Sequence, residues 1–541
     1  MTEKENHHFT DEVGRRNFLK TTGKGVGIAL GATLMNTLPV NFASAESSAS
    51  SNSSNLAYPF TLGIASGDPL PDSVVLWTRL APDPLNGGGM PSHPFPVQWE
   101  VSLDEDFNHV VKRGTELSKP QLAHSVHVEV EGLKPSTWYY YRFKSQDHFS
   151  PAGKTKTAPA YGSPLDKLSF AFASCQNWQA GFYTAYQHMA KDDLDLVVHL
   201  GDYIYEGKHS SNVRPNKEVY PEIYTLEDYR NRYALYKLDS DLQAAHASFP
   251  WIVVFDDHEV DNNWAGEVPQ DPHKQSREDF LKRRALAFQA YYEHMPLRRT
   301  SFPDENSIQL YRQLSFGNLV DFNVLDTRQF RDTLVNYSVW QKPSPESMDP
   351  NRSILGEQQE QWLLDKLGTS QAKWNVLAQQ VFFAKRDNKL GVEEEINMDK
   401  WDGYSATRDR ILHFVQEKGI SNLVVLTGDQ HNNWANEIKA DFNDPNSANL
   451  GVEFVGTSIS SGGNGADSNN SLKLALAENP HIKFNNNQRG YVRCTVTPEN
   501  WQTDFMVLPY VNRPGAPIQT RASFNVENGK QTLQQLAVAQ A

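Results

Sequence analysis

Four short apolar runs, each followed at once by acids, amides, cysteine or histidine, constrain this chain more than any other feature. Leu168-Ser169-Phe170-Ala171-Phe172-Ala173 leads into Ser174-Cys175-Gln176-Asn177-Trp178, and Leu196-Val197-Val198-His199-Leu200 leads into Gly201-Asp202-Tyr203-Ile204-Tyr205. Trp251-Ile252-Val253-Val254-Phe255 gives Asp256-Asp257-His258-Glu259, with Asp261-Asn262-Asn263-Trp264 close behind. Leu423-Val424-Val425-Leu426-Thr427 gives Gly428-Asp429-Gln430-His431-Asn432-Asn433-Trp434. Such runs, bounded by turn residues, read as buried parallel strands, and ligands of open α/β sheets bind outside the carboxyl ends of those strands. The expectation is that all four runs deliver their polar ends to the same edge of one sheet.

From about residue 166 onward these runs alternate with helical stretches at 226–246, 277–294 and 356–367, which predicts an α/β domain of sheets flanked by helices over residues 166–515. Runs at 320–328 and 374–378 are expected to complete the sheet without supplying metal ligands. Residues 58–160 read differently. Short β-branched or aromatic runs at 74–79, 97–101, 126–130 and 138–143, separated by Pro, Gly and Asp, predict an all-β sandwich. Its Gly132-Leu133-Lys134-Pro135-Ser136-Thr137-Trp138-Tyr139-Tyr140 segment resembles the turn into a late strand of fibronectin type III-like domains. Residues 460–470, rich in Ser, Gly and Asn, are expected to form a mobile loop, and the tail 516–541, with helical spacing at Leu533, Leu536 and Val538, to form a short capping helix.

The first 45 residues have the order of a removable export signal. Gly14-Arg15-Arg16-Asn17-Phe18-Leu19-Lys20 is a twin-arginine region, residues 25–38 are modestly apolar, and Ala43-Ser44-Ala45 is a small-residue cleavage site. The apolar stretch is shorter than the roughly 20 residues that span a bilayer and is diluted by Gly, Thr and Asn, so no membrane anchor is expected. A Ser/Asn-rich tether at 46–57 follows. These features predict a partner, the twin-arginine translocase, and a place outside the cytoplasm or in the cell envelope. The chain's net charge of −14 gives it no general attraction for nucleic acid or anionic membranes, so an anionic substrate must meet local positive charge. Two cysteines in 541 residues exclude a disulfide framework and leave room for one bridge. Cys494 lies in a strand-like run where an inert buried thiol is expected, whereas Cys175 lies among the polar strand ends.

Turn chemistry explains Asp and Asn after strands, but not Cys, Tyr and two His among them. The donor types point to metals. Asp202 has two oxygens and can bridge two cations; Tyr205 offers a phenolate suited to a ferric ion. Asp257, Asn263 and Asp429 supply oxygens suited to calcium, magnesium or manganese, and His431 supplies an imidazole nitrogen. Two close metals polarise a phosphoryl group and generate hydroxide at neutral pH, which makes phosphoester hydrolysis the expected reaction class.

Gly201-Asp202-Tyr203-Ile204-Tyr205 resembles the Gly-Asp-x-x-Tyr motif of purple acid phosphatases, and the domain resembles calcineurin-like metallophosphoesterases. Taken together with Ser174-Cys175-Gln176, Asp256-Asp257-His258-Glu259-Val260-Asp261-Asn262-Asn263 and Gly428-Asp429-Gln430-His431, the chain resembles PhoD-type alkaline phosphatase/phosphodiesterases over nearly its whole length. The resemblance implies a ferric ion (Fe3+) held by Cys175, Asp202, Tyr205 and His431, and calcium (Ca2+) held by Asp202, Asn263 and Asp429. Zinc, manganese and magnesium are the other ions admitted at the second position, and the choice between Asp257 and Asn263 as its ligand stays open. Cys175 stands where the broader group has Asp-x-His, and carboxylates replace imidazoles elsewhere, which shifts the second position toward harder ions. His258 is expected to bond the phosphoryl oxygens or to protonate the leaving oxygen, or else simply to be held by Glu259 or Asp257. Arg230, with Arg232, is expected to clamp phosphate or to face solvent. The implied substrates are phosphomonoesters and phosphodiesters, with envelope polymers such as teichoic acid, or phospholipid head groups, as settings. A phospholipase D or nucleotidase on the same centre, and an envelope-binding protein with structural metals, are the alternatives.

Overall fold

The computed structural model describes residues 57–210, 213–214, 219–337 and 339–536; the expected export signal and most of the expected tether lie outside them. Two large sheets stack face to face. The first has ten strands in the order Gln534–Leu536, Gln519–Glu527, Asn500–Leu508, Arg489–Val496, Leu168–Ala173, Leu196–His199, Pro250–Val253, Ile64–Leu70, Ser73–Arg79 and Ser125–Glu131. The second has seven: Arg312–Phe316, Val320–Val324, Trp374–Ala378, Leu423–Thr427, Asn449–Val455, Asn433–Lys439 and Ile482–Asn486. Side chains alternate across a strand, so each sheet presents one face to the other and one to helices. Phe170 meets Phe322 across the inter-sheet space at 5.2 Å, while Trp251 packs outward on Tyr186 and stacks on His246. On the outer side of the second sheet, Leu377 and Val425 cluster with Leu363 and Leu367 of the helix Gly356–Thr369 and with Ile411 and Val415 of Ser405–Glu417.

The predicted strand runs are all strands, but not of one sheet. Leu168–Ala173, Leu196–His199 and Pro250–Val253 are parallel neighbours in the large sheet, whereas Leu423–Thr427 belongs to the second. The four polar ends therefore meet at a junction of two sheets. Val320–Val324 and Trp374–Ala378 complete the second sheet beside Leu423–Thr427.

The N-terminal β region is a sandwich that shares a sheet with the rest. A five-stranded sheet (Val110–Ser118, Phe95–Ser102, Trp138–Ser145 and His148–Phe149, with Gly153–Lys156 beside the third) packs its Val97, Val101, Tyr141 and Phe143 against Val74, Leu76, Val126 and Val128. The strands carrying the latter four continue the large sheet, because Ile64–Leu70 pairs in parallel with Pro250–Val253 (Ser66 beside Pro250, Gly67 beside Trp251). The expected boundary near residue 160 is thus crossed by a continuous ladder of hydrogen bonds.

Two expectations about helices need correction. Residues 226–246 form two helices, Leu226–Lys237 and Ser240–Ser248, because the Asp239 carboxylate accepts the N–H groups of Asp241 (3.0 Å) and Leu242 (3.4 Å) and starts a new helix there. The tail is not a capping helix up to Leu536: Gln519–Glu527 and Gln534–Leu536 extend the large sheet at its edge. A short isolated helix is marginal, whereas an open sheet edge offers backbone partners immediately. Val538 lies outside the described residues. No helix among the described residues is long and apolar enough to cross a membrane.

One buried histidine fastens the two regions. His127, on Ser125–Glu131, lies stacked on Tyr292 at 4.4 Å with Nε2 2.9 Å from the Tyr292 carbonyl and 3.0 Å from that of Met295. Burial pulls its pKa down to about 4, against the pull of those carbonyls. The neutral ring is favoured in the fold and the charged ring in the unfolded chain, so this contribution is complete above pH 6.5 and lost as pH falls through 4. Denaturant unfolding at pH 7 and 4.5 is expected to show His127→Gln losing about 2 kcal/mol less between the two than the parent does.

Candidate metal centre

The polar strand ends approach so closely that their glycines are required. Gly201 has φ +105°, and a Cβ there would run into the backbone of Asp256; one on Gly428 would lie 2.9 Å from the Ser174 side chain. Glu259 locks two of the turns together, its buried carboxylate accepting the N–H groups of Asp202 (3.1 Å), Tyr203 (2.5 Å) and Asp256 (2.9 Å). Five proposed ligands, Cys175, Asp202, Asn263, Asp429 and His431, have positive φ between 52° and 60°. Left-handed backbone at non-glycine residues is unfavourable and concentrates at functional sites, where surrounding packing enforces it.

The first group is Cys175, Asp202 and His431, whose donor atoms lie within 4.8 Å of one another. Tyr205 joins them: its buried hydroxyl donates to Asp202 Oδ2 (2.9 Å), accepts from Ser461 Oγ (2.8 Å) and lies 3.0 Å from His431 Nε2. Burial, reinforced by Asp202, pushes the Cys175 thiol and the Tyr205 phenol well above their ordinary pKa values. A multivalent cation is what would ionise both. Burial and Arg489 pull His431 down to about 3, leaving the neutral imidazole that ligates metals. Asp202 Oδ1 is buried with no hydrogen-bond partner, although its Oδ2 has one. An orphaned carboxylate oxygen among thiol, phenol and imidazole fits a metal ion better than it fits a closed protein network.

The second group is richer in oxygen. Asp202, Asp257 and His258 also bring donor atoms within 4.8 Å of each other. Asp257 Oδ2 accepts the Asn263 N–H at 2.7 Å, and the Asn263 side-chain amide lies 3.2 Å from Asp257 Oδ2 and 3.3 Å from Asp399 Oδ2. With its nitrogen toward these acids, Asn263 donates to both; with its oxygen toward them, three oxygens converge, an arrangement a cation stabilises. Asp257 and Asn263 are therefore neighbours in one cluster. Burial works against the charge on Asp257, but Arg328 and His258 outweigh it and hold the carboxyl well below its usual range.

His258 is held neither by Glu259 nor by its own neighbour's side chain alone: its Nδ1 lies 2.6 Å from Glu206 Oε2, and the ring sits 4.1 Å from that of Tyr205. Burial opposes its charge, yet Glu206, Asp202 and Asp257 prevail and raise the imidazole well above its ordinary pKa. With Nδ1 bonded to a carboxylate, Nε2 remains to donate toward a substrate. Arg230 is placed differently from expectation. Its guanidinium is paired with Glu293 (2.5 and 2.7 Å) and bonded to the Gln121 carbonyl, contacts outside the metal-ligand cluster. Arg232 is buried and donates to the Tyr205 and Pro221 carbonyls, bracing the backbone of a proposed ligand. Trp264 and Trp434 are fully buried core residues, and Trp178 is half-buried.

Several residues at the centre lie outside the expected ligand set. Arg328, fully buried, places Nε 2.5 Å from Asp256, Nη1 2.8 Å from Asp399, and Nη2 3.5 and 3.7 Å from Asp257 and Asp429. Lys400 Nζ bridges Asp399 (2.7 Å) and Asp429 (2.5 Å). Ser460 and Ser461 begin the loop expected to be mobile, yet both are buried, and Ser461 accepts the Asn177 N–H while donating toward the Cys175 carbonyl and Tyr205 Oη. Cys175 and Cys494 are both free and buried.

Comparison with known proteins identifies the family. Residues 170–505 match the profile of the PhoD-like phosphatases, and residues 45–159 match that of the PhoD-like phosphatase N-terminal domain. Alkaline phosphatase D of Bacillus subtilis (strain 168) is 54% identical over 527 residues, which span 96% of this chain and 89% of that protein. A solved structure of PhoD, 56% identical, superposes with a TM-score of 0.87 over 90% of this chain and 93% of its own. The profile spanning the strand ends and the full-length relative establish the same thing: the chain belongs to the PhoD-like phosphatase family.

Proposed function

We propose that this phosphatase is an exported phosphoric ester hydrolase acting on monoesters and diesters, with ferric iron at Cys175, Asp202, Tyr205 and His431 and calcium at Asp202, Asp257, Asn263 and Asp429. The observation that carries the reading is the orphaned oxygen of Asp202, the residue shared by two donor groups, one completed by thiol, phenol and imidazole and one by the Asp257 carboxylate and the His258 ring. When bound, the cations would supply Lewis-acid polarisation of the phosphoryl group and a source of hydroxide at neutral pH. The chain's own residues do the rest. Glu259 and Arg328 hold the ligand turns before any ion arrives. Glu206 orients and charges His258, whose Nε2 protonates the leaving oxygen. Ser461 donates to the Tyr205 oxygen and so favours its ionised form once a cation is present. The twin-arginine region and small-residue cleavage site of residues 1–45 support export to the cell envelope or beyond, where polymeric or lipid phosphoesters are available.

Metal analysis and visible absorption of the exported protein, before and after Tyr205→Phe, test the centre. The expected result is stoichiometric iron with a phenolate charge-transfer band, and loss of both band and activity in the variant. Stoichiometric zinc without a band would overturn the ferric reading. A panel of p-nitrophenyl phosphate, bis(p-nitrophenyl) phosphate, nucleotides and phosphatidylcholine separates general ester hydrolysis from nucleotidase or phospholipase D activity.

A further inference from the structure

With Arg230 sequestered on Glu293, the positive charge that meets an anionic substrate must lie elsewhere. Arg386 stands beside the centre without an ion-pairing acid among the described residues. Its Nη1 donates to Gln430 Oε1 at 3.2 Å, and Gln430 Nε2 donates in turn to Asp429 Oδ2 at 2.6 Å. The guanidinium carbon lies 4.8 Å from the Trp434 ring centroid and 5.4 Å from that of Trp340. Its Nε is buried with no hydrogen-bond partner. Asp402, whose charge acts on it, accepts the Arg386 backbone N–H with one oxygen and bonds Arg408 with the other (2.7 Å). Two indoles and one amide thus fix a planar cation whose remaining donors are uncommitted, one side chain away from a proposed metal ligand. Aromatic neighbours and a hydrogen bond lower the entropy lost when a guanidinium captures an anion.

We infer that Arg386 is a substrate-selecting residue that receives a second anionic group flanking the scissile phosphate. Gln430 stands between Arg386 and Asp429, so the phosphoryl group being transferred belongs to the metal centre and its neighbour to Arg386. Half-buried, next to the half-buried Asp429, Gln430 and His431, Arg386 lies at the mouth of the centre. In a chain of net charge −14 this local cation is what favours a doubly anionic ester over a singly anionic one. The inference rests on the hydrolase reading above.

The test uses two chromogenic diesters, thymidine 5′-(p-nitrophenyl phosphate) and the same compound carrying a 3′-sulfate, which adds one negative charge and no second phosphoester. The metal-loaded protein is expected to favour the second in kcat/KM about tenfold at low ionic strength, mainly through KM, with the preference shrinking as salt is added. Arg386→Gln is expected to bring the ratio close to one, and Arg386→Lys to restore part of it. Equal kcat/KM for the two diesters in the parent protein, or a loss in Arg386→Gln that leaves the ratio intact, would overturn the inference while the hydrolase reading stands. Hydrolysis of neither diester would overturn both. Arg386→Lys keeps the charge and the ratio's salt dependence, so it separates lost charge from a fold disturbed in Arg386→Gln, and a salt-independent ratio in the parent would overturn the inference without any variant.

Discussion

Asp202→Asn is expected to abolish phosphatase activity, by at least about a thousandfold, while leaving the cation-free fold intact. The magnitude follows from losing roughly 4 kcal/mol of Lewis-acid stabilisation, since Asp202 is the only residue common to both donor groups. The intact fold follows from the electrostatics of the cation-free site. Burial, with Asp257, Glu259 and Asp429 adding to it against His258, pushes the Asp202 carboxyl well above its ordinary pKa. A protonated carboxyl and an amide have nearly the same shape and charge, so asparagine replaces what the cation-free protein already holds. Thermal unfolding with and without added iron and calcium separates the two effects: the parent gains stability by mass action and the variant does not. If the variant still binds one equivalent of each ion, Asp202 does not bridge them.

His258→Asn is expected to leave iron content and the visible band in place and to reduce kcat by roughly a hundred- to ten-thousandfold. The reduction should be far larger for an alkyl phosphoester than for a p-nitrophenyl ester, because only the poorer leaving group needs a proton in the transition state. Glu206→Gln should show the same leaving-group dependence at smaller amplitude, since Glu206 both orients and charges the ring. Equal losses on the two substrates would make His258 a binding group for the phosphoryl oxygens. Loss of a metal equivalent would make it a ligand, as its proximity to Asp202 and Asp257 also permits.

The turns that carry Cys175, Asp202, Asp257 and Asp429 were legible because each follows its strand directly, and a buried strand announces itself in five residues. Their distribution over two sheets was not, since an apolar run does not state which neighbour it pairs with. Arg328 sits at the end of a run correctly read as a strand, but nothing local distinguishes a guanidinium that reaches four carboxylates from one that reaches solvent. Asp399 and Lys400 follow only the short strand Ile396–Asn397, and Ser461 opens a Ser/Gly/Asn stretch whose composition suggests mobility. Each is placed by tertiary packing alone. Arg230 misled for the converse reason: its pairing with Arg232 on a predicted helix says nothing of Glu293, which the helix Arg277–His294 brings against it.

Synthesis order gives the shared large sheet a further meaning. The ribosome finishes the N-terminal β region long before it reaches Pro250, so Ile64–Leu70 waits, with one flank unpaired, for a parallel partner not yet made. An unpaired strand flank is an invitation to wrong partners, and parallel pairing across a long loop forms slowly. A chain built this way does not reach safety piece by piece. It is protected only when complete, and splitting it at the junction near residue 160 would leave two fragments, each with a raw edge that the other was made to cover.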